Sequence, residues 1–169
     1  MTRPAGLTRL LVKTYVLFCL YRTLRWQAPA TMSNEAREIV YDHYRDQLEL
    51  FAALAKHLLK LDGSRSTKLA PIVRSIDTFD AQRRTCAADH LRVLLAAHQT
   101  VLAETKALMG ANRALETPGT AEMVGRIAQT NELQVGIVAG QLSMLAPASL
   151  SGNEADSASG GSRVTASMR

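Results

Sequence analysis

The sequence predicts an all-α fold built as a four-helix bundle. Apolar residues make up 47 % of the 169-residue chain, yet aromatics are only 5 %. The apolar content rests on Leu and Ala, which favour helices, whereas a sheet would draw on β-branched and aromatic residues. Five Pro and ten Gly leave room for long uninterrupted helices. Apolar residues recur at three-and-four spacing through four separate stretches. The length suits one domain with a substantial core.

The first helix is predicted over 6–26, with an apolar stripe of Leu10, Leu11, Thr14, Leu17, Phe18, Tyr21 and Leu24. Gln27-Ala28-Pro29-Ala30 breaks it, because proline biases the residue before it away from helix. The second helix is predicted over 34–61, with Ser33 as N-cap and Glu35 in the first turn, where an anion suits the helix dipole. Its expected stripe is Val40, Tyr44, Leu48, Phe51, Ala55, Leu58 and Leu61. Asp62-Gly63 stops it, since glycine takes the left-handed C-cap cheaply. The connection 63–80 is expected to hold a short helix opened by Pro71 and carrying Ile72, Val73, Ile76 and Phe79. The third helix is predicted over 81–110, with Ala87, Leu91, Leu94, His98, Val101, Thr105 and Leu108 as its seam. The fourth runs from Thr117-Pro118, cap followed by proline, to Leu145, through Val124, Ile127, Asn131, Val135, Val138 and Leu142. The chain thus divides into a basic arm (1–5), a bundle (6–146) and a Ser/Gly-rich tail (147–169). That tail lacks the apolar surface to offset the entropy of ordering and is expected to be disordered. A long second-to-third connection between short first and third links is the arrangement of ferritin-like bundles.

The net charge of +5 is localised. Residues 1–31 carry Arg3, Arg9, Lys13, Arg22 and Arg25 and no acid, which accounts for the whole excess. Such an end suits an anionic partner, or a solvated helix face. Cys19 and Cys86 read as reduced, apolar thiols of a cytoplasmic protein, not as a disulfide framework or a CxxC site. Arg22 and Arg25 interrupt the path from the short apolar run 14–21 to Ala28-Pro29-Ala30, which argues against a secretory leader. No run reaches the roughly 20 apolar residues of a membrane span, and no membrane partner is expected. A Gly-rich phosphate loop, Gly-x-Ser-x-Gly and HExxH are all missing. A Cys–His nucleophile has no support either.

With the helices placed, the chain resembles the Dps family, the ferritin-like DNA-binding proteins of starved cells. Arg25-Trp26 ends the first helix where the family writes His-Trp. The stretch Lys56-His57-Leu58-Leu59-Lys60-Leu61-Asp62-Gly63 is similar to the family's Glu-Arg-x-x-x-Leu-Gly-Gly. Asp89-His90-Leu91 and the segment from Gly119 to Val124 echo family segments in helices three and four. The resemblance spans about residues 7–145. It implies a subunit of a hollow shell of twelve like chains, or one that co-assembles with a homologue. It also implies DNA protection on the nucleoid, iron storage and peroxide consumption as family roles.

The family's iron ligands sit between two subunits. Laid on this chain, the family's His, His, Asp, Asp and Glu positions fall at Arg25, Arg37, Tyr41, Ala52 and Lys56. None of these is a carboxylate or an imidazole, the donors iron requires, and three are cations that repel it. The expectation is therefore a shell subunit with no cofactor and no ferroxidase activity, in which Glu38 and Asp42 pair with the cations. The alternatives are a ferroxidase and iron store with a relocated metal site at Glu38, Asp42 and His57, or a helical adaptor. Asp42, Asp46 and Glu49 read as an exposed acidic stripe. His98 reads as a hydrogen-bonded core histidine, His43 and His90 as surface residues. Phosphate contacts would come from Arg3, Arg9, Lys13, Arg163 and Arg169, without sequence readout.

Overall fold

The structure, a computed structural model, describes residues 3–62, 86–111 and 118–145. Among them stand four helices and no strand: α1 (Arg3–Trp26), α2 (Asn34–Asp62), α3 (Ala87–Gly110) and α4 (Pro118–Leu145). The expected short helix within 63–80, the Thr117 cap and the 147–169 tail lie outside the described residues. Helix α1 begins at Arg3, three residues before the expected Gly6. Helix α3 begins at Ala87 and not at Ala81, because Cys86 is extended (φ −127°, ψ 154°). The Cys86 thiol donates to Asp89 across 3.0 Å, which places a carboxylate in the first turn, where the dipole favours it.

A handful of contacts define the topology. The Ser33 hydroxyl accepts from Ala36 N at 3.1 Å, the N-cap expected for α2. Thr31 Oγ1 accepts from Ala87 N at 3.3 Å, so α3 starts beside the α1–α2 turn. His57 lies 2.8 Å from Thr120, so the end of α2 meets the start of α4. Gln141 donates to Glu35 at 3.4 Å, so the end of α4 meets the start of α2. Helices α2 and α3 therefore run parallel, with the end of α2 and the start of α3 at opposite ends of the bundle. For a 29-residue helix that separation is roughly 44 Å.

The expected α1 stripe and α3 seam are buried throughout. Each fully buried Leu among them contributes about 2 kcal/mol. Helix α2 differs. Its buried face is Ala36, Val40, His43, Gln47, Leu50, Leu54 and Leu58. Of the expected stripe Val40 and Leu58 are buried, but between and beyond them it ran out of phase: Tyr44, Phe51 and Ala55 are half-buried, while Leu48 and Leu61 are exposed. The cause is chemical, because α2 puts polar His43 and Gln47 inward and a second apolar strip outward. Helix α4 likewise buries Asn131, Gln134 and Gln141 beside Val124, Ile127 and Val138.

Candidate functional site

The inward polar residues form one chain of hydrogen bonds through all four helices. Tyr21 on α1 lies 2.9 Å from His43 Nδ1 on α2 and 2.7 Å from His98 Nε2 on α3. His98 Nδ1 lies 2.8 Å from Asn131 Oδ1 on α4. Gln47 Nε2 donates to Gln134 Oε1 at 2.7 Å and reaches Asn131 Oδ1 at 3.4 Å. Gln134 Nε2 donates outward to Asp46 Oδ2 at 2.9 Å.

The partners assign every proton in this chain. Asn131 Nδ2 donates to the Ile127 carbonyl, so its Oδ1 is an acceptor and His98 carries its hydrogen on Nδ1. His98 Nε2 is then an acceptor, and Tyr21 donates to it. The Tyr21 oxygen in turn accepts from His43 Nδ1–H. Asp46, an acceptor only, sets the Gln134 amide, which sets Gln47. Gln47 Oε1 is left without a partner among the described residues. Flipping that amide would set two carbonyl oxygens against each other, so the arrangement is the better of the two.

These groups are electrically quiet. Burial holds His98 down to about 4, against a partial rise from its Asn131 bond. Burial also holds His43 down to about 4, although Asp46 and Asp42 pull the other way. Burial, then the Asp46 charge, drives the Tyr21 phenol far above its ordinary value. All three are neutral near pH 7. His43 is therefore a core residue, not the surface residue expected. Sequence reading missed it because polar residues at 43 and 47 interrupt an apolar pattern. The available signal was that both lie in phase with Ala36, Val40, Leu50 and Leu54.

A second centre lies on the outer face of α1 and α2. The Arg25 guanidinium sits 4.6 Å from the Tyr41 ring centre, 4.9 Å from Tyr44 and 5.3 Å from Trp26. Phe18 stacks on Tyr44 at 5.4 Å, and Tyr15 packs on Phe51 at 4.9 Å. Six of the chain's eight aromatic side chains thus stand on one face, and Trp26 is 75 % exposed there. Arg37 donates to the Pro29 carbonyl at 3.0 Å and the Met32 carbonyl at 3.3 Å, clamping the α1–α2 turn. The pairing of these two arginines with Glu38 and Asp42 that the sequence suggests does not form. Arg25 lies over aromatic faces, where a weakly hydrated guanidinium is stabilised. Arg37 is drawn to main-chain carbonyls. Ala52 and Lys56 are exposed. A guanidinium among rings, a second on carbonyls, an alanine and a lysine do not fit an iron site.

The alternative ligands are also separated. Glu38 and Asp42 are exposed and one turn apart. His57 is fifteen residues beyond Asp42, about 22 Å along the helix. Among the described residues no three His, Cys, Asp or Glu side chains come together. The acidic stripe is exposed as expected: Asp46 accepts from Gln134, and Glu49 faces Arg126 at 3.9 Å. Of the candidate phosphate contacts, Arg9 and Lys13 both bind Glu104 of α3, at 2.7 Å and 2.8 Å. Burial pushes the Glu104 carboxyl up, but the bonds and charges of Arg9 and Lys13 outweigh it and hold it below the ordinary range. Arg163 and Arg169 lie outside the described residues, and Arg3 opens α1. No described helix is long and apolar enough to cross a membrane.

Comparison with known proteins agrees with this architecture. The structure is similar to DpsC from Streptomyces coelicolor, with a TM-score of 0.70 and 24 % identity over 83 % of each chain. No curated protein sequence matches the chain. The model of the ferritin-like domain matches residues 4–145, nearly the whole described bundle, and the chain accordingly belongs to the ferritin-like family.

Proposed function

We propose that this chain is a shell-forming subunit of the Dps-like kind, in which self-association and protection of DNA operate without a ferroxidase site between subunits. The carrying observation is the outer face of α1 and α2. A patch that combines exposed Trp26, Tyr41 and Leu48 with half-buried Tyr15, Tyr44 and Phe51 is a contact surface by its composition. Charge on α2 supports a partner that is a second copy. Its first half carries Glu35, Glu38, Asp42 and Asp46 against Arg37 and Arg45, and its second half Lys56 and Lys60 against Glu49 and Asp62. An antiparallel two-fold pairing of α2 helices sets the net acidic half of one copy beside Lys56 and Lys60 of the other.

At that interface Arg25 supplies a fixed positive charge where relatives of the Dps kind place a ligand for iron. DNA contact would draw on the acid-free segment 1–31, whose charge is partly offset by Glu104. Many copies in one shell would raise a weak phosphate contact by avidity.

Light scattering after size exclusion tests the assembly. A shell mass supports it, and a stable monomer rejects it. Ferrous oxidation followed by absorbance, with oxygen and with peroxide, should show no fast saturable phase. A gel shift at two salt concentrations should weaken steeply with salt if phosphates are the target.

A further inference from the structure

We propose that the centre of the bundle holds an internal hydration site, anchored on Gln47 Oε1, whose ligand is a single water molecule. The inference concerns the individual chain and stands apart from the shell reading.

The anchor is a buried acceptor in need of a donor. Gln47 is fully buried, and its Oε1 has no partner among the described residues. A buried carbonyl oxygen that has given up solvent and gained no donor weakens a fold, so native cores pair such atoms with protein or with ordered water. Rotating the amide gives no escape. Gln47 Nε2 donates to Gln134 Oε1 at 2.7 Å and reaches Asn131 Oδ1 at 3.4 Å. The rotated amide would set its oxygen against both of those oxygens and leave its nitrogen as the orphan. Gln134 cannot turn to compensate, because Asp46 accepts from its Nε2 at 2.9 Å.

The donor groups around the anchor already serve other acceptors. Tyr21 donates to His98, His98 Nδ1–H to Asn131 Oδ1, and His43 Nδ1–H to Tyr21. Asn131 Nδ2 donates to the Ile127 carbonyl at 2.8 Å. The same proton order makes His43 Nε2 an acceptor too. His43 lies one helical turn before Gln47 on the inward face of α2. The centre is therefore rich in acceptors and short of donors. A water molecule brings two O–H donors, one for Gln47 Oε1 and a second that His43 Nε2 can take.

Charge and polarity select this ligand over others. Tyr21, His43 and His98 are neutral near pH 7, and Gln47, Asn131 and Gln134 carry no charge at any pH. The nearest acid of this chain of bonds, Asp46, is exposed and touches the centre only through Gln134. A metal cation or an anion among these groups would be a buried charge without a counter-charge, which is costly. An apolar guest would leave Gln47 Oε1 unpaired. Buried waters occur at roughly one per 27 residues and make about three hydrogen bonds each, so a polar centre crossing four helices is an ordinary place for one.

The test is a crystal structure of the full chain at a resolution that shows ordered solvent, together with relaxation dispersion of the water signal, which counts long-lived internal waters, on the wild type and on Q47L/Q134L. The double variant removes the anchor and its amide partner together, so neither amide is orphaned, and exposed Asp46 returns to solvent. The expected result is water density within hydrogen-bond distance of Gln47 Oε1 and one fewer long-lived water per chain in Q47L/Q134L, with helical content by circular dichroism kept. A crystal in which a protein donor meets that oxygen, or in which no density does, overturns the inference. Equal water counts in the two folded proteins overturn it as well. If Q47L/Q134L fails to fold, the wild-type crystal decides. None of these outcomes depends on the mass of the assembly, so the shell reading stands or falls separately.

Discussion

The Tyr21 hydroxyl donates to His98 Nε2 across 2.7 Å, joining α1 to α3 in the middle of the bundle. The same oxygen accepts from His43 on α2 at 2.9 Å. One phenol therefore satisfies two imidazoles on two other helices. The Tyr21→Phe variant keeps the ring and leaves both nitrogens without a partner. An orphaned buried donor or acceptor costs about 1–3 kcal/mol, so the variant should lose about 3 kcal/mol. Urea unfolding at one fixed protein concentration reads this as a lower midpoint. Tyr41→Phe, at an exposed hydroxyl, should stay within about 0.5 kcal/mol. Equal effects at the two sites would mean that the Tyr21 bonds are unimportant.

Acid should unlock the same centre. His43 and His98 titrate near 4 in the folded chain, below the ordinary 6.5, chiefly because they are buried. The unfolded chain thus binds protons first as pH falls. Stability from these groups is complete above about 6.5 and is lost between there and about 4. Each histidine accounts for about 3 kcal/mol over that window, and their coupling makes the sum less than additive. Urea midpoints between pH 7.5 and 4.5 should fall on the acid side, and His43→Asn should lower the slope by about one proton. A midpoint that is flat to pH 4.5 would show both histidines to be solvated.

The α1 stripe and the α3 seam were legible because their core positions are apolar almost throughout and three-and-four spacing marks them directly. Helix α2 was not, and its error is instructive. Two apolar strips run along it, one inward and one outward, and the inward one is interrupted by His43 and Gln47. From Val40 the periodicity passed to the outward strip, because Tyr44, Leu48 and Phe51 are apolar or aromatic where the inward positions hold His43 and Gln47. An apolar pattern reports a face that avoids water, not which neighbour excludes the water. The hydrogen-bond chain was invisible for a related reason. Tyr21, His98 and Asn131 were placed on their stripes, but His43, Gln47 and Gln134 were not, and no spacing rule reveals that six such side chains converge from four helices.

Glu104 makes an asymmetric ion triplet with Arg9 and Lys13. The carboxylate side chain is 7 % exposed, whereas Arg9 is 46 % and Lys13 31 % exposed. Removing the acid frees two cations that can swing into water. Removing the cations strands a buried charge, which is the costlier direction. Glu104→Gln should lose about 1 kcal/mol and R9A/K13A about 3 kcal/mol. The folded carboxyl lies below its ordinary range, so its contribution is present above about pH 4.5 and fades below. In R9A/K13A that dependence should reverse, since the stranded carboxyl is relieved by protonation. Thermal unfolding at pH 7 and pH 4.5 separates the cases. A larger loss from E104Q would refute the asymmetry.

Gly6 and Leu108 set how closely α1 approaches α3. A Cβ at position 6 would stand 2.6 Å from Leu108 Cδ2 and 3.8 Å from its Cγ, and Leu108 is itself buried. Two effects oppose each other in Gly6→Ala. Alanine gains about 1 kcal/mol of helix propensity, while forcing a methyl into a packed site costs about 1–3 kcal/mol. Only the far end of one leucine is in the way, so a rotamer change meets part of the demand, and the net loss should be about 1 kcal/mol. In the Leu108→Ala background the obstacle is gone and only propensity remains. Gly6→Ala should then stabilise by about 1 kcal/mol, although L108A alone costs about 2–5 kcal/mol. A double-mutant cycle in urea reads that change of sign directly. If Gly6→Ala has the same effect in both backgrounds, Leu108 does not set the spacing of the two helices, and the glycine has some other cause.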